Sequence, residues 1–129
     1  MEITVKKLFA KISPRKARIV LYGLRNQTLL NAKNSLTFTN KKAAGLLLDL
    51  VKAAIGAAKE NYLEADKTYI KSIAVNEGPR LKRHMPKSKG RTYNMQKRMS
   101  HFVLTITDQL GEDEKVEKSK LQKDNKKAE

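Results

Sequence analysis

The stretch GPRLKRHMPKSKGRTYNMQKR, residues 78–98, decides the fold. It holds eight Lys or Arg (Arg80, Lys82, Arg83, Lys87, Lys89, Arg91, Lys97, Arg98), one His and no acid. Its large apolar residues are Leu81, Met85, Tyr93 and Met95. So few apolar groups cannot close a core, and cations this dense repel one another. Pro79 and Pro86 remove backbone donors, and Gly90 offers a bend. The segment must therefore be carried by a body built elsewhere in the chain.

Its flanks show how it is carried. TYIKSIAVNEG, residues 68–78, is rich in β-branched and aromatic residues and predicts a strand. HFVLTITD, residues 101–108, alternates: Phe102, Leu104 and Ile106 fall on one side, His101, Val103, Thr105 and Thr107 on the other. If these strands pair, residues 78–98 connect them as a hairpin. About ten residues per arm at ~3.3 Å each reach roughly 30 Å from the body. A lone two-stranded ribbon is marginal in water. The tip is expected to be mobile when free and to order inside a groove of negative charge.

The remaining elements supply the body. Residues 3–9, ITVKKLF, predict a short strand at a sheet edge, where Lys6 and Lys7 discourage further pairing. Ser13 and Pro14 mark a helix start, as N-cap and first helical residue. Ala17, Val20, Leu21 and Leu24 follow at helical spacing and face inward. Arg15, Lys16, Arg18 and Arg25 fall outside that stripe. Leu29, Ala32 and Leu36 predict a second, short helix, with Thr39 or Asn40 capping a third. In the third, Ala44, Leu47, Leu48, Val51, Ile55, Ala58 and Tyr62 form one apolar stripe. Lys41 and Lys42 stand at its start. The fold class is α+β: a small three-stranded antiparallel sheet packed with three helices, plus a long protruding basic β-hairpin spanning about residues 76–100.

The chain has 129 residues, read as a single domain over 1–108 and a charged tail over 109–129, disordered or weakly helical. In the tail, Glu114 and Lys118 form an expected i,i+4 pair. The net charge is +15, unevenly spread. Residues 1–77 hold 14 basic and 6 acidic groups, residues 78–108 hold 8 basic groups and Asp108, and residues 109–129 hold 6 of each sign. There is no Cys, so the fold stands without disulfides and no thiolate metal site is available. No apolar run approaches the ~20 residues of a membrane span. MEITVKKLFA lacks the continuous apolar stretch of a signal peptide. A soluble, cytoplasmic protein is expected.

Phosphate-binding glycine loops, H-E-x-x-H and a plausible Ser/His/Asp set are absent from the sequence. No enzyme activity, cofactor or metal is expected. A strongly basic body with a basic extension points instead to a polyanion, foremost nucleic acid. Arg forms bidentate bonds to phosphate and stacks on bases, and Lys adds less directional charge. Cations in the first turn of a helix oppose its dipole, and a phosphate there removes the penalty. Tyr93 and His84 are candidates to stack on unpaired bases; Tyr93 packed across the ribbon and His84 in solvent are the plainer readings. A DNA-bending protein with β-arms in the minor groove is an alternative, with Met85 or Pro86 as the wedge. A polybasic membrane-surface protein is another, but the segment lacks an amphipathic apolar face.

The residues also resemble a known family. EGPRLKRHMPKSKGRTYNMQKRMSHFVLTITD is similar to the hairpin of the bacterial-type large-subunit ribosomal protein family number twenty-two. Its pattern E-G-P-x-x-K-R-x-x-P-x-x-x-G-R, then K-R-x-S-H, is met by Glu77, Gly78, Pro79, Lys82, Arg83, Pro86, Gly90, Arg91, Lys97, Arg98, Ser100 and His101. SPRKAR at 13–18 and TNKKAA at 39–44 resemble two further family segments in the right order. The resemblance covers about residues 3–108. It implies a structural constituent of the large ribosomal subunit, bound to large-subunit ribosomal RNA and neighbouring ribosomal proteins in the cytoplasm. The body would sit near the exit of the nascent-chain tunnel, and the hairpin would line the tunnel wall to its constriction. The RNA-binding set is then Ser13, Arg15, Lys16, Arg18, Arg25, Lys41, Lys42, Arg80, Lys82, Arg83, His84, Lys87, Lys89, Arg91, Tyr93, Lys97, Arg98 and His101. Arg83, His84, Met85, Lys89, Gly90, Arg91 and Thr92 would face the tunnel and its nascent polypeptide. Family members commonly stop soon after the last strand, and the resemblance assigns no role to residues 109–129.

Overall fold

Alternation and helical spacing organise the chain much as its residue types dictate. The computed structural model describes residues 1–108, so the tail and its Glu114–Lys118 pair lie outside the described residues. The elements run β1 (Glu2–Ala10), α1 (Pro14–Leu21), α2 (Leu29–Phe38), α3 (Lys42–Glu60), β2 (Tyr69–Pro86) and β3 (Thr92–Thr107), with a 3-10 turn at Ser88–Gly90. The sheet order is β1-β3-β2, both pairings antiparallel. β3 is therefore central and β1 is an edge, as its lysines suggest.

One face of the sheet makes the core. Phe102, Leu104 and Ile106 of β3 and Ile70, Ile73 and Val75 of β2 are buried against the helices. The opposite face is partly exposed and polar, with Thr4 and Thr105 hydroxyls 3.3 Å apart. α3 buries Ala43, Ala44, Leu47, Leu50, Val51, Ala54 and Ala58. Its many alanines let the neighbouring elements approach closely. α2 buries Leu29, Ala32 and Leu36, the expected stripe, and starts with Thr28 Oγ1 accepting from the Asn31 N–H at 3.4 Å.

Three local expectations change. Tyr62 does not continue the α3 stripe: the helix ends at Glu60, and Tyr62 adopts φ 58 and is 97% exposed. A left-handed residue breaks the helical period, so spacing no longer says where its side chain goes. Neither Thr39 nor Asn40 caps α3. Lys41 holds that position without a side-chain bond, while the Thr39 hydroxyl turns back to the Ser35 carbonyl at 2.8 Å. Ser13 does occupy the α1 N-cap, but its hydroxyl makes no capping bond.

Candidate nucleic-acid interface

The two strands that close the core do not stop at its edge. Beyond the Glu77–Ser100 pair the ladder shifts register and resumes at Arg80–Arg98, continuing through Leu81–Lys97, Lys82–Gln96, Arg83–Met95, His84–Asn94 and Met85–Tyr93 to Pro86–Thr92. From Glu77 to Pro86 this ribbon extends roughly 30 Å at ~3.3 Å per residue. At the shift, Gly78 lies so close to the opposite strand that a Cβ would come within 3.1 Å of the Met99 carbonyl carbon and oxygen. Only glycine fits without moving the strand. The tip closes through Lys89 (φ 58) and Gly90 (φ 68), with the Lys87 N–H bonded to the Arg91 carbonyl at 2.6 Å.

Side chains alternate across a strand, so the register sorts the ribbon into two faces. Arg80, Arg98, Lys82, Gln96, His84 and Asn94 share one face. Leu81, Lys97, Arg83, Met95, Met85 and Tyr93 share the other. The second face is mostly apolar, with Leu81, Met85, Tyr93 and Met95 beside Arg83 and Lys97. The Tyr93 hydroxyl donates to Met85 Sδ at 3.5 Å, and Lys87 Nζ lies 4.9 Å from the Tyr93 ring centroid. Tyr93 thus packs across the ribbon, with a cation already on its ring. His84 is exposed beside Asn94.

Arg80 and Arg98 stand directly opposite each other, an unfavourable pairing. Arg80 is turned toward Glu77 Oε2 at 3.2 Å and Gln96 Oε1 at 3.3 Å. Among the described residues it is the one arm cation in an ion pair with a carboxylate. Four other acids are paired in the body: Lys7–Asp49 at 2.7 Å, Lys67–Glu64 at 2.7 Å, Lys71–Glu2, and the N-terminal ammonium on Asp108 at 2.7 Å. Lys7 holds the Asp49 carboxyl below its ordinary value by hydrogen bonding, and Glu64 in the same way raises Lys67.

The body cations divide into two groups rather than one patch. Lys16 of α1 meets Lys41 and Lys42 at the start of α3, around a cavity of about 270 Å³ shared with Ile12, Ile19 and Ala43. Arg18 and Arg25 face the outer edge of β2 instead, where Arg18 Nη2 donates to the Val75 carbonyl at 3.0 Å. Arg15 is exposed on α1. Ser13 is half-buried at the head of the same helix.

His101 is differently engaged. Its Nδ1 accepts the Phe9 N–H at 3.0 Å, and its Cε1 sits 3.3 Å from where a Gly78 Cβ would be. One ring nitrogen is thereby committed to the root of the arm, leaving Nε2 to donate. Charge counting passed over Phe9 and the β2 edge at Ile73, since nothing in their residue types announces a surface role. Among the described residues no group of His, Asp or Glu is arranged to hold a metal, and no helix is long and apolar enough to cross a membrane.

Fold and surface together define a basic α+β protein built around a cationic β arm. Comparison with known sequences places it further. The family described as Ribosomal protein L22p/L17e matches residues 5–107. The chain is similar to the large ribosomal subunit protein uL22 of Mycoplasma mycoides subsp. mycoides, 44% identical over 110 residues, 84% of this chain and 99% of the relative. It is also similar to that of Petrotoga mobilis, 46% identical over 101 residues, 78% of this chain and 68% of the relative. To that of Lawsonia intracellularis it is 37% identical over 109 residues, 84% and 97% of the two chains. The chain belongs to the ribosomal protein L22p/L17e family. It is a structural constituent of the large ribosomal subunit, not an enzyme.

Proposed function

We propose that the chain binds large-subunit ribosomal RNA through its arm and its two groups of body cations. The body sits near the exit of the nascent-chain tunnel. The arm runs along the tunnel wall to its constriction, among neighbouring ribosomal proteins. The tip, with Arg83, His84, Met85, Lys89, Gly90, Arg91 and Thr92, faces the tunnel space and the nascent polypeptide. The observation that carries the RNA-binding reading is a roughly 30 Å ribbon whose cations, Arg80 aside, have no carboxylate partner among the described residues. A channel of phosphates supplies the missing counter-charge on both faces. The placement in the tunnel rests on family resemblance. The cations act mainly as phosphate positioners, so affinity falls with salt by roughly 0.7 to 0.9 log units per contact per decade.

The test is co-sedimentation of the tagged protein from cell lysate on a sucrose gradient after a high-salt wash. Retention with the large subunit is expected. A protein that runs at the top of the gradient, or with chromosomal DNA, would overturn the reading. So would equal affinity for folded large-subunit RNA and random duplex DNA at physiological salt. For the tip, a photoreactive group in place of Lys89 is expected to crosslink to a stalled nascent chain. Crosslinks to RNA alone would remove the tunnel-facing assignment.

A further inference from the structure

Beside the outer edge of β2 lies a groove of about 560 Å³, lined among others by Arg18, Leu21, Tyr22, Arg25, Ile73 and Val75, with no carboxylate in its lining. Among the described residues, the sheet order leaves this edge of β2 without a neighbouring strand. Its first residues are covered from within. The Asn26 N–H bonds the Ile70 carbonyl, the Ile70 N–H bonds the Gln27 carbonyl, and the Leu29 N–H bonds the Thr68 carbonyl, each at 3.0 Å. Further along, the Arg18 guanidinium reaches the edge at Val75, alone in doing so among the hydrogen bonds of the described residues. Backbone groups alternate sides along a strand, so the N–H and carbonyl of Ile73 point the same way as the Val75 carbonyl. An open strand edge between two guanidiniums, beside a Tyr22 that is 97% exposed, suits an extended acidic peptide added as a further strand.

The chain carries such a peptide close by. β3 ends at Thr107, which pairs with Tyr69 at the start of β2. The sequence that follows is electrically divided. Residues 109–117, QLGEDEKVE, hold four acids and one Lys, whereas residues 118–129 hold five Lys and two acids. From Tyr69 to Val75 along β2 is roughly 20 Å at ~3.3 Å per residue, and the same rise carries residues 112–117 roughly 13 to 30 Å from Asp108. The acids therefore fall within reach of Arg18 and Arg25. A short tether also gives them a high effective concentration there.

We infer that in the ribosome-free protein residues 112–117 dock along the outer edge of β2, with carboxylates on Arg18 and Arg25. The docking does not depend on the RNA-binding reading. Its consequence does: the segment covers two of the proposed phosphate-binding cations until RNA displaces it.

The test uses the full chain with Glu112→Gln, Asp113→Asn, Glu114→Gln and Glu117→Gln, compared with the wild type by amide-resolved NMR at low salt. Chemical-shift changes are expected at residues 18, 22–25 and 73–75, and the same wild-type amides should move in that direction when salt is raised. Arg18→Gln with Arg25→Gln should reciprocally shift the amides of residues 112–117. Changes confined to arm residues 80–98, or no changes outside the substituted segment, would overturn the docking. Shifts that grow with protein concentration would assign the groove to a second copy and overturn it as well.

Discussion

The Phe9 N–H donates to Nδ1 of His101 at 3.0 Å, and the two rings meet edge to face with centroids 4.9 Å apart. Phe9 holds φ 55, where the β1–β3 register shifts between Lys7 and Ala10. A bulky residue in that conformation is strained and stays there only if its surroundings hold it. Next to it, the Ser100 hydroxyl donates to the buried Ile12 carbonyl at 2.6 Å. Ser100 and His101 thus pin the β1–α1 connection against the strand that becomes the arm. Replacing His101 with Ala should cost about 1 kcal/mol in urea unfolding, the worth of an ordinary hydrogen bond. Asn, whose Oδ1 can take the place of Nδ1, should recover part of that loss and of the Phe9 amide protection. Equal loss in both variants would mean that ring packing, not the acceptor, matters.

Gly78 and Gly56 should respond oppositely to Ala. At Gly78 the new Cβ meets Met99 backbone at 3.1 Å, and backbone cannot swing away as a side-chain end can. Overpacking of this kind costs about 1–3 kcal/mol. It should also displace the arm and weaken RNA binding. At Gly56, exposed within α3, nothing lies within 4 Å. There Ala should stabilise by up to about 1 kcal/mol. Thermal unfolding of both variants checks the pair.

Arg98 opposes Arg80 across the root of the ribbon. Arg98→Gln removes a like-charge pair and should stabilise the free arm by a few tenths of a kcal/mol. Hydrogen-exchange protection of residues 80–98 reads that gain. RNA affinity should fall at the same time, with a shallower salt slope. Slower exchange together with unchanged RNA binding would show that Arg98 contacts no phosphate.

Lys7 and Asp49 tie β1 to α3 at the surface. The Asp49 carboxyl is held below its ordinary value, first by the Lys7 hydrogen bond and then by its charge. A depressed carboxyl stabilises the fold above its unfolded pKa and loses that contribution as pH falls through the folded value. Asp49→Asn should therefore lower Tm slightly at neutral pH. The gap from wild type should close as the medium is taken below the carboxylate range. A gap that persists there would indicate lost packing rather than lost charge.

Deleting residues 81–91 and closing the ribbon with a short turn should leave the body folded. Every buried apolar residue lies outside that span, the nearest being Val75 and Phe102. Circular dichroism should show a cooperative transition at nearly the wild-type Tm. A collapsed transition would mean that the arm contributes to the body's stability.

Residue pattern alone determined a good deal here. Alternation in residues 101–108 placed Phe102, Leu104 and Ile106 in the core, and helical spacing placed Leu29, Ala32 and Leu36. Eight cations without an acid between residues 78 and 98 excluded a core and required an arm. These are local periodicities and net charges, which need no knowledge of the partner element. Tertiary structure decided what depends on relative placement. Tyr62 left the α3 stripe because the helix stopped two residues earlier, at a left-handed backbone no spacing encodes. The cations of α1 were parted, Lys16 toward α3 and Arg18 toward β2, because α1 lies between those elements. His101 reads as one more basic ring in the sequence, yet the β1–β3 register brings Phe9 to its Nδ1. Among the described residues the strand order left β2 with an open edge, since which strand is central depends on pairing between segments far apart in the chain.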